Sequence, residues 1–303
     1  MKIQFLGTSG SRPTRDRGLT SIAIRREDEL LLFDCGEGTQ RQMTKTSLSP
    51  MKIDTVFLTH FHGDHFLGLP GLIQTMSLMN RERELEIVGP EGTSDRIIKL
   101  IDIPVFTQRF EVKTRELKPG EALERDGYLI KTEETVHSTP GLAYGLFEKE
   151  RPGKFHPKKA KELGIEPGPK YSELQQGQTV ENPDGKKIRP EDVMGPPRSG
   201  RKIVYSGDTK PSEKIGKFAR GADVLVHDST FGEDLKEEAQ KGGHSTAKEA
   251  AEIAKRAGVE RLILTHPSPR YSDASELEEE AKEIFDNSLM AEDFLKIEVE
   301  LKD

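Results

Sequence analysis

The chain has 303 residues, of which 33% are hydrophobic and 33% are charged, and its formal net charge is −7. No stretch approaches the roughly 18 consecutive apolar residues that a membrane span needs, so we expect no membrane-spanning segment. The negative charge argues against a general nucleic-acid coat, because non-specific affinity comes from many Lys and Arg side chains that meet phosphates.

The N-terminal sequence and the cysteine content favour a cytoplasmic protein. The segment MKIQFLGTSGS enters a strand-like pattern at once, without the apolar region and small-residue cleavage site of a signal peptide. Cys35 is the only cysteine, so no intramolecular disulfide can form. It follows an apolar run, which is typical of a buried packing residue rather than a nucleophile or metal ligand.

The first half of the chain alternates short strands with helices. Apolar and β-branched segments separated by turn residues are typical of strands. The predicted strands are Ile3–Leu6, Thr20–Ile24, Leu30–Phe33, Thr55–Leu58, Leu85–Val88, Glu111–Glu116, Tyr128–Glu134 and Ala143–Phe147. Apolar residues recur at three- and four-residue spacing near Leu67–Met79 and Ser94–Ile101, which predicts helices there.

The middle segment, Glu150–Arg201, interrupts this pattern. It holds 8 of the 18 prolines and carries a charge of +3, whereas the rest of the chain carries −10. Its proline and glycine content predicts little regular structure, and about fifty residues is far longer than an ordinary loop. The segment is therefore either a tolerated surface insertion or an arm that binds a partner.

Strands and helices alternate again after Arg201. The predicted strands are Lys202–Tyr205, Asp223–His227 and Arg261–His266, and the predicted helices are Glu213–Phe218, Ala247–Ala257 and Ala274–Phe285. Thr246 and Glu249 form a capping-box pattern at the start of the second of these helices. Two strand-rich halves, each followed by helices, predict an α/β fold with two face-to-face sheets and helices outside.

The segment THFHGDH concentrates side chains that can bind a metal. His60, His62, Asp64 and His65 lie within six residues, around a glycine at the start of a predicted helix. Imidazole and carboxylate are ligands that a borderline cation such as Zn²⁺ accepts. The spacing suits a pair of metal ions better than one, so each ion needs further ligands from elsewhere in the chain.

Three further ligand candidates lie at the ends of predicted strands. His137 ends one strand, Asp208 follows another in a glycine-containing turn, and His266 ends a third. A carboxylate has two oxygens and can bridge two ions, which favours Asp208 for that role. Each residue alone is more typical of a core or turn position, and only the histidine cluster makes it a ligand candidate.

The pattern His60-x-His62-x-Asp64-His65 resembles the signature of the metallo-β-lactamase superfamily, whose fold is a four-layer αββα sandwich. The segments FLGTSGSRPTRDRG, FDCGEGTQRQ, LTHFHGDHFLGLPGL and YSGDT, together with the proline-rich segment, resemble the short-form ribonuclease Z family of tRNA 3′-processing endonucleases over essentially the whole chain. The resemblance implies a single domain over residues 1–303 with a protruding, flexible exosite arm, residues 150–201, inserted to hold the tRNA.

The resemblance also implies the cofactors and partners. Two zinc ions per subunit are expected, one bound by His60, His62 and His137 and the other by Asp64, His65 and His266, with Asp208 bridging them. The expected substrate is precursor tRNA. Members of the family work as homodimers, in which the arm of one subunit presents substrate to the active site of the other.

Two residues are predicted to move protons. Two metal ions can lower the pKa of a shared water to about 7, and Asp64 is placed to accept its proton as general base. The family's proton donor is a histidine in an HST loop, which is His244 here, just before a capped helix start that favours phosphate. Bacterial members commonly carry a His-Glu-Ala-Thr loop, and at the matching place this chain has HDST, residues 227–230. Asp228 keeps the carboxylate on a side chain one methylene shorter, and it is the candidate to orient His244.

Several arginines are candidates for contact with RNA. The planar guanidinium of Arg270 suits the scissile phosphate. A small basic cluster in the N-terminal loop is expected to contact the RNA backbone, and it consists of Arg12, Arg15 and Arg17.

Three functions are candidates for this chain. The resemblance implies an endonuclease that cuts precursor tRNA after the discriminator nucleotide, leaving a 3′-hydroxyl on the tRNA and a 5′-phosphate on the trailer. A small-molecule hydrolase of the same fold, acting on a phosphodiester, sulfate ester or thioester, would keep its activity after deletion of Arg151–Arg198. A tRNA-binding protein that has lost catalysis would lack one of the metal-binding residues or the proton donor. The sequence contains a candidate for each of them.

Overall fold

The computed structural model describes residues 1–302, which form two compact units. The first unit comprises Met1–Phe147 and Lys202–Glu300. The second comprises Glu148–Arg201 with the residues after Glu300, and so begins close to the segment that the sequence marks by its prolines. No helix within residues 1–302 is both long and apolar enough to cross a membrane.

The described part of the first unit contains two seven-stranded sheets. The strands of the first sheet are β1 (Lys2–Gly7), β2 (Ser21–Arg26), β3 (Glu29–Phe33), β4 (Ile53–Phe57), β5 (Leu85–Gly89), β6 (Val112–Glu116) and, late in the chain, β16 (Lys296–Glu298). Their order is β16-β1-β2-β3-β4-β5-β6. Strands β3 to β6 are parallel, whereas β1 is antiparallel to β16 and β2, and β2 is antiparallel to β3.

The second sheet has a similar division into parallel and antiparallel parts. Its strands are β7 (Ala122–Arg125), β8 (Tyr128–Glu134), β9 (Leu142–Glu148), β12 (Lys202–Tyr205), β13 (Val224–Asp228), β14 (Arg261–Thr265) and β15 (Ser288–Met290). Their order is β15-β14-β13-β12-β9-β8-β7. Strands β12 to β15 are parallel, and β9 is antiparallel to β12.

Helices cover the outer face of each sheet. The helices of the first unit are α1 (Thr39–Thr44), α2 (Gly63–Phe66), α3 (Leu69–Leu78), α4 (Thr93–Asp102), α8 (Glu213–Phe218), α9 (Lys236–Gly242), α10 (Ala247–Ala257) and α11 (Ser275–Lys282), with 3-10 turns at Pro50–Lys52 and Glu233–Leu235. Apolar residues of α3 and α4 pack on the first sheet, and those of α10 and α11 pack on the second. Helix α10 has the predicted capping box, and its C-cap, Gly258, is left-handed at φ 62°.

Alternation along the strands gives each sheet two buried faces. In β3, Leu31 and Phe33 lie in the core between the sheets, whereas Leu30 and Leu32 lie in the core under the helices. In β14, Ile263 faces the core between the sheets and its two neighbours face the helices. The layers therefore run helix, sheet, sheet, helix, which confirms the predicted αββα sandwich.

The strands and helices predicted outside the middle segment are present, with ends that differ by a few residues. Five short elements are not predicted from the sequence, namely β7, β15, β16, α1 and α9. These elements have only three to seven residues, which is too short for a hydrophobic period to stand out.

The second unit is more regular than its composition predicts. It contains α5 (Pro157–Glu162), α6 (Pro169–Gln175), α7 (Pro190–Val193) and a hairpin of β10 (Val180–Glu181) and β11 (Lys187–Ile188). The expectation of little regular structure is therefore wrong. Each helix begins at a proline, where the fixed φ suits the helix and the missing N–H has no partner to lose. Its own core consists of Ala160, Ile165, Leu174, Val180, Ile188 and Val193.

Candidate metal centre

The seven predicted metal ligands lie after the ends of strands, five in loops and two in a short helix. Five of them follow the carboxyl ends of β4, β8, β12 and β14, and two lie in the first turn of α2; they are His60, His62, His137, Asp208 and His266, then Asp64 and His65. Loops at the carboxyl ends of parallel strands meet at one edge of a sheet. The fold thus brings together residues that are up to about 200 positions apart in sequence.

One group of donor atoms comprises Nε2 of His60, Nδ1 of His62, Nε2 of His137 and Oδ2 of Asp208. Nδ1 of His62 lies 3.0 Å from Nε2 of His60 and 3.1 Å from Nε2 of His137. Oδ2 of Asp208 lies 3.7 Å and 3.9 Å from the same two nitrogens. Four donors about 2.1 Å from one zinc ion would lie roughly 3.4 Å apart, so the spacing fits one ion.

A second group comprises Asp64, His65 and His266, and it adjoins the same oxygen of Asp208. Oδ2 of Asp208 lies 3.3 Å from Nε2 of His65 and 3.3 Å from Nε2 of His266. Oδ2 of Asp64 lies 3.7 Å and 3.3 Å from those two nitrogens. Because Asp208 adjoins both groups, its carboxylate is placed to be shared by two ions.

The protonation of the ring nitrogens fits a metal. Nδ1 of His137 lies 2.7 Å from the carbonyl oxygen of Gly243, which can only accept, so this nitrogen carries the proton and Nε2 has a lone pair. Nε2 of His65 is buried and has no hydrogen-bond partner within residues 1–302. A buried nitrogen without a partner is costly, and a bound cation removes that cost. The donor set therefore fits the metal pair that the motifs imply.

A buried carboxylate behind the centre, Asp34, supports two of these histidines. Its Oδ2 lies 2.8 Å from Nδ1 of His65 and accepts from the hydroxyl of Tyr205 at 2.9 Å. The hydroxyl of Thr59 donates to the same oxygen at 2.9 Å and lies 3.0 Å from Nδ1 of His60. These contacts direct Nε2 of both imidazoles toward the candidate metal positions.

A second buried carboxylate, Asp228, holds His244. Nδ1 of His244 lies 2.8 Å from Oδ2 of Asp228, which also accepts from the backbone N–H of Thr209 at 3.0 Å. His244 belongs to the same centre, because a ring nitrogen lies within 4.8 Å of donor atoms of Asp208 and His266. The structure thus brings together the Asp228–His244 pair expected from the sequence.

The charges at the centre favour a cation. Burial raises the pKa of Asp208, but His266 and His65 lower it by more, so the net pKa is well below its ordinary range. Burial lowers the pKa of His65, yet Asp208 and Asp34 raise it to well above its usual value. Positive charge is therefore attracted to the position between these carboxylates, where the second group would bind an ion.

Two glycines let loops approach the histidines closely. A Cβ at Gly10 would lie 2.5 Å from the ring of His266, and one at Gly243, which has φ 83°, would lie 2.8 Å from Nδ1 of His137. Next to Gly10, the backbone N–H of Ser11 donates to Oδ2 of Asp64 at 2.6 Å. A side chain at either glycine would displace a candidate ligand.

Arg270 lies beside the centre rather than in it. Its guanidinium is 5.1 Å from the ring centroid of Phe231, and that ring is 6.2 Å from the ring of His244. The Arg270 side chain is exposed, and its contact with the scissile phosphate stays a prediction.

The N-terminal arginines have different environments. Arg12 and Arg15 are exposed, but Arg17 donates to the hydroxyl of Thr8 at 2.8 Å and to the carbonyl oxygen of Ala291. Burial lowers the pKa of Arg17, although nearby Asp and Glu residues raise it. Arg17 therefore supports the fold, and contact of these three arginines with RNA stays a prediction.

Three residues that support the centre are not predicted from the sequence, namely Asp34, Thr59 and Thr230. Asp34 directly follows the apolar run LLLF at the end of a strand, as Asp208 follows another strand closely, and that position was a usable signal. Thr59 and Thr230 gave no signal, because threonine is common at strand ends and in turns.

The sequence matches two families, described as "Anti-Pycsar protein Apyc1" over residues 1–151 and "Beta-lactamase superfamily domain" over residues 181–267. A protein named ribonuclease Z from Methanosarcina acetivorans is 49% identical over 300 residues, which cover 99% of this chain and 98% of that protein. The chain belongs to the ribonuclease Z family. A ribonuclease Z from Methanosarcina mazei is 46% identical over the same shares of the two chains.

A solved structure supports the same family. The short form of human tRNase Z is 28% identical, with a TM-score of 0.73, over 99% of this chain and 100% of the human chain. The family and the fold that the motifs of this chain resemble are thus both confirmed.

Proposed function

We propose that this member of the ribonuclease Z family is a zinc-dependent endoribonuclease that removes the 3′ trailer from precursor tRNA. It cuts after the discriminator nucleotide and leaves a 3′-hydroxyl on the tRNA and a 5′-phosphate on the trailer. One observation carries the proposal: two groups of metal donors meet at the carboxylate of Asp208, in a chain 49% identical to a ribonuclease Z.

Two zinc ions are the proposed cofactors. His60, His62 and His137 would hold one, and Asp64, His65 and His266 the other, with Asp208 shared. When bound, two such ions lower the pKa of water to about 7 and stabilise the attacking and leaving oxygens of an in-line displacement at phosphorus. The residues of the chain orient the substrate and move the protons.

Asp64 is the proposed general base. Burial raises its pKa, but the contact with His266 and the charge of His65 lower it by more, so the carboxyl is ionised at neutral pH. The backbone N–H of Ser11 donates to Oδ2, and Nε2 of His266 lies 3.3 Å from the same oxygen. Neither contact involves Oδ1, which leaves that oxygen able to accept a proton.

His244 is the proposed acid that protonates the departing 3′-oxygen of the tRNA. Burial lowers its pKa, but the Asp228 carboxylate at 2.8 Å outweighs burial and raises the pKa to about 9. The imidazole therefore carries a proton at neutral pH. Asp228 cannot turn away, because Thr209 and Thr230 donate to its two oxygens.

The second unit is the proposed exosite for tRNA. The segment Glu150–Arg201 carries a net charge of +3 in an acidic chain, and Lys158, Lys159 and Lys161 of α5 are exposed. Exposed cations attract phosphates, and folded RNA is recognised largely by its shape through phosphates and 2′-hydroxyls.

The first experiment maps the ends of the products. Zinc-loaded protein is incubated with a tRNA that carries a 3′ trailer, beside His62→Ala as a metal-ligand control, and both new ends are sequenced. We expect one cut after the discriminator, with a 3′-hydroxyl on the tRNA, and a large loss of cleavage in the control. Intact tRNA with fully metallated protein would reject the proposal.

Deletion of Arg151–Arg198 separates this function from small-molecule hydrolysis. The deleted protein should fail on precursor tRNA yet still hydrolyse a small phosphodiester such as bis(p-nitrophenyl) phosphate, because the donor groups belong to the first unit. Unchanged cleavage of precursor tRNA by the deleted protein would rule out an exosite in this segment.

We also propose that the protein is a homodimer. Helices α3 and α4 contact each other, and they carry or adjoin apolar side chains that are unusually exposed, including Leu78 (76%), Ile98 (66%) and Ile103 (74%). Exposed apolar patches of this kind mark association surfaces. Light scattering should give a molar mass twice that of the chain. The double variant Ile98→Glu with Ile103→Glu should have the mass of a single chain. A native monomer would contradict the proposal.

The cytoplasmic location stays a prediction. It agrees with precursor tRNA as the proposed substrate. Fractionation of cells that express a tagged protein tests it, and recovery outside the cytoplasmic fraction would reject it.

A further inference from the structure

Thr230 joins two parts of the centre. Its hydroxyl oxygen lies 2.7 Å from Oδ1 of Asp228 and 2.9 Å from Nδ1 of His266. Nδ1 of His244 lies 3.1 Å from the same hydroxyl but closer, at 2.8 Å, to Oδ2 of Asp228. Thr230 is buried, so its hydroxyl depends on these neighbours for its hydrogen bonds.

Chemistry sets the direction of both hydrogen bonds. A carboxylate only accepts, so the O–H of Thr230 donates to Asp228. The hydroxyl oxygen then accepts from Nδ1–H of His266. This leaves the lone pair of His266 on Nε2, which lies 3.3 Å from both Asp64 and Asp208. Among the side chains of similar size, only one with a hydroxyl can accept and donate in this way.

The first sheet carries the same arrangement. The hydroxyl of Thr59 lies 2.9 Å from Oδ2 of Asp34 and 3.0 Å from Nδ1 of His60. In both places a buried Asp contacts one imidazole directly and a second through a threonine. The same three-group contact therefore occurs in each sheet at the carboxyl ends of two adjacent parallel strands, although Thr59 follows the strand of its histidine and Thr230 the strand of its carboxylate.

We propose that Thr230 is a positioning residue that orients His266 for the metal and, through Asp228, ties that orientation to His244. The Asp228 carboxylate then orients both a candidate metal-binding imidazole and the proposed proton donor. The link to His244 rests on the proposed function, whereas the orientation of His266 is tested by metal binding alone.

The test compares Thr230→Val, Thr230→Ala and Thr230→Ser with the native chain. The matched control is Thr265→Val, because the hydroxyl of Thr265 is buried and has no hydrogen-bond partner within residues 1–302. Metal-stripped proteins are titrated with Co²⁺ and followed by visible absorption, which reports the geometry of each ion. Loss of such an outer hydrogen bond should weaken one of the two binding steps by about 10- to 100-fold in Thr230→Val and Thr230→Ala.

Thr230→Ser and Thr265→Val should bind cobalt as the native chain does. If Thr230→Val binds cobalt as tightly as the native chain, the proposal is overturned. It is also overturned if Thr230→Ser binds cobalt as weakly as Thr230→Ala, because the methyl group would then matter rather than the hydroxyl. If Thr230→Val does not fold, the serine and alanine variants carry the test. A native chain that binds two cobalt ions but leaves precursor tRNA intact would reject the proposed function and the link to His244, but not the orientation of His266.

The link to His244 is tested with a second substrate. A precursor tRNA with sulfur in place of the bridging 3′-oxygen has a leaving group that needs little protonation, because thiols are more acidic than alcohols. Thr230→Val should slow cleavage of the oxygen substrate more than that of the sulfur substrate. Equal slowing of both would reject the link.

Discussion

Asp34 and Asp228 occupy matching places in the two sheets of the first unit. Asp34 follows β3 and Asp228 ends β13, and in both sheets the loop after the adjacent strand supplies a histidine, His60 after β4 and His266 after β14. Both carboxylates are fully buried. They differ in what they support. Asp34 contacts one candidate ligand, His65, and supports a second, His60, through Thr59. Asp228 contacts the proposed acid, His244, and supports a candidate ligand, His266, through Thr230.

The difference shows how one local arrangement can serve two chemical purposes. The imidazole that contacts Asp34 directly, His65, points its Nε2 at Asp208 from 3.3 Å. The imidazole that contacts Asp228 directly is His244. Carboxylates raise the pKa of both imidazoles, to well above its usual value in His65 and to about 9 in His244, so the pKa does not separate the two roles. A buried carboxylate fixes the ring in both cases, and the groups facing the other nitrogen decide whether it binds a metal or donates a proton.

Asp34→Ala should have the largest effect on the centre. It removes the support of His65 and, through Thr59, of His60, so both donor groups lose an oriented ligand. Each loss should cost about 10- to 100-fold in metal affinity. Zinc per chain after dialysis and single-turnover cleavage measure the result. If the alanine variant does not fold, Asp34→Asn replaces it in the test. Two tightly bound zinc ions in each of the two variants would refute the role of Asp34.

Substitution of His244, which Asp228 of the second sheet holds, should remove acid catalysis. His244→Ala should slow single-turnover cleavage by about 10²- to 10⁴-fold, the usual contribution of general acid catalysis. The substrate with a bridging 3′-sulfur should restore most of the rate. His62→Ala is the control, because it removes a candidate metal ligand and keeps the acid, so the sulfur substrate should rescue it far less than it rescues His244→Ala. If the sulfur substrate is slowed as much as the oxygen substrate in His244→Ala, this residue is not the acid.

Asp228→Asn tests whether the carboxylate orients that acid. We expect slower cleavage of the oxygen substrate by a smaller factor than in His244→Ala, because the imidazole remains but its position and proton are less well held. An unchanged single-turnover rate in this variant would exclude an Asp228–His244 dyad.

Thr59→Val sharpens the comparison with Thr230. It should weaken metal binding by about 10- to 100-fold through His60, with Thr59→Ser close to native. In contrast to Thr230→Val, it should slow the oxygen and sulfur substrates equally, because Thr59 has no contact with His244. A preference of Thr59→Val for the sulfur substrate would mean that the two threonines do not have separate roles.

Tyr205→Phe should have the smallest effect. The lost hydrogen bond to the Asp34 carboxylate should lower the free energy of unfolding by about 1.5 to 3 kcal/mol, the range for bonds to charged groups. The matched control, Tyr144→Phe, loses a bond to the carbonyl oxygen of Leu58 and should cost about 0.5 to 1.5 kcal/mol. Urea unfolding measures both, and equal losses would show that the charge of Asp34 is unimportant for stability.

Much of the centre could be predicted because its ligands occupy recognisable positions. His60, His62, Asp64 and His65 are close in sequence, so a single turn brings them together without help from the rest of the fold. His137, Asp208 and His266 are distant in sequence, but each follows a strand, and the ends of such strands meet at one edge. The resemblance to the ribonuclease Z family assigned them to the two groups.

The supporting hydrogen bonds could not be predicted in the same way. Whether Thr59 contacts Asp34 depends on β3 lying beside β4, and Thr230 contacts His266 only because β13 lies beside β14. Strand order and the rotation of a hydroxyl are properties of the packed molecule. They leave no pattern in the composition of a short segment.

The layered α/β fold and the metal-binding chemistry follow from local features of the sequence, because hydrophobic alternation and clustered histidines can be recognised without knowing how the chain packs. Only the tertiary structure decided that the proline-rich segment folds, since Pro157, Pro169 and Pro190 begin helices once apolar residues around them can be buried together. It also decided which imidazole faces the candidate metal site and which keeps a proton, because that choice depends on distances of about 3 Å between distant residues.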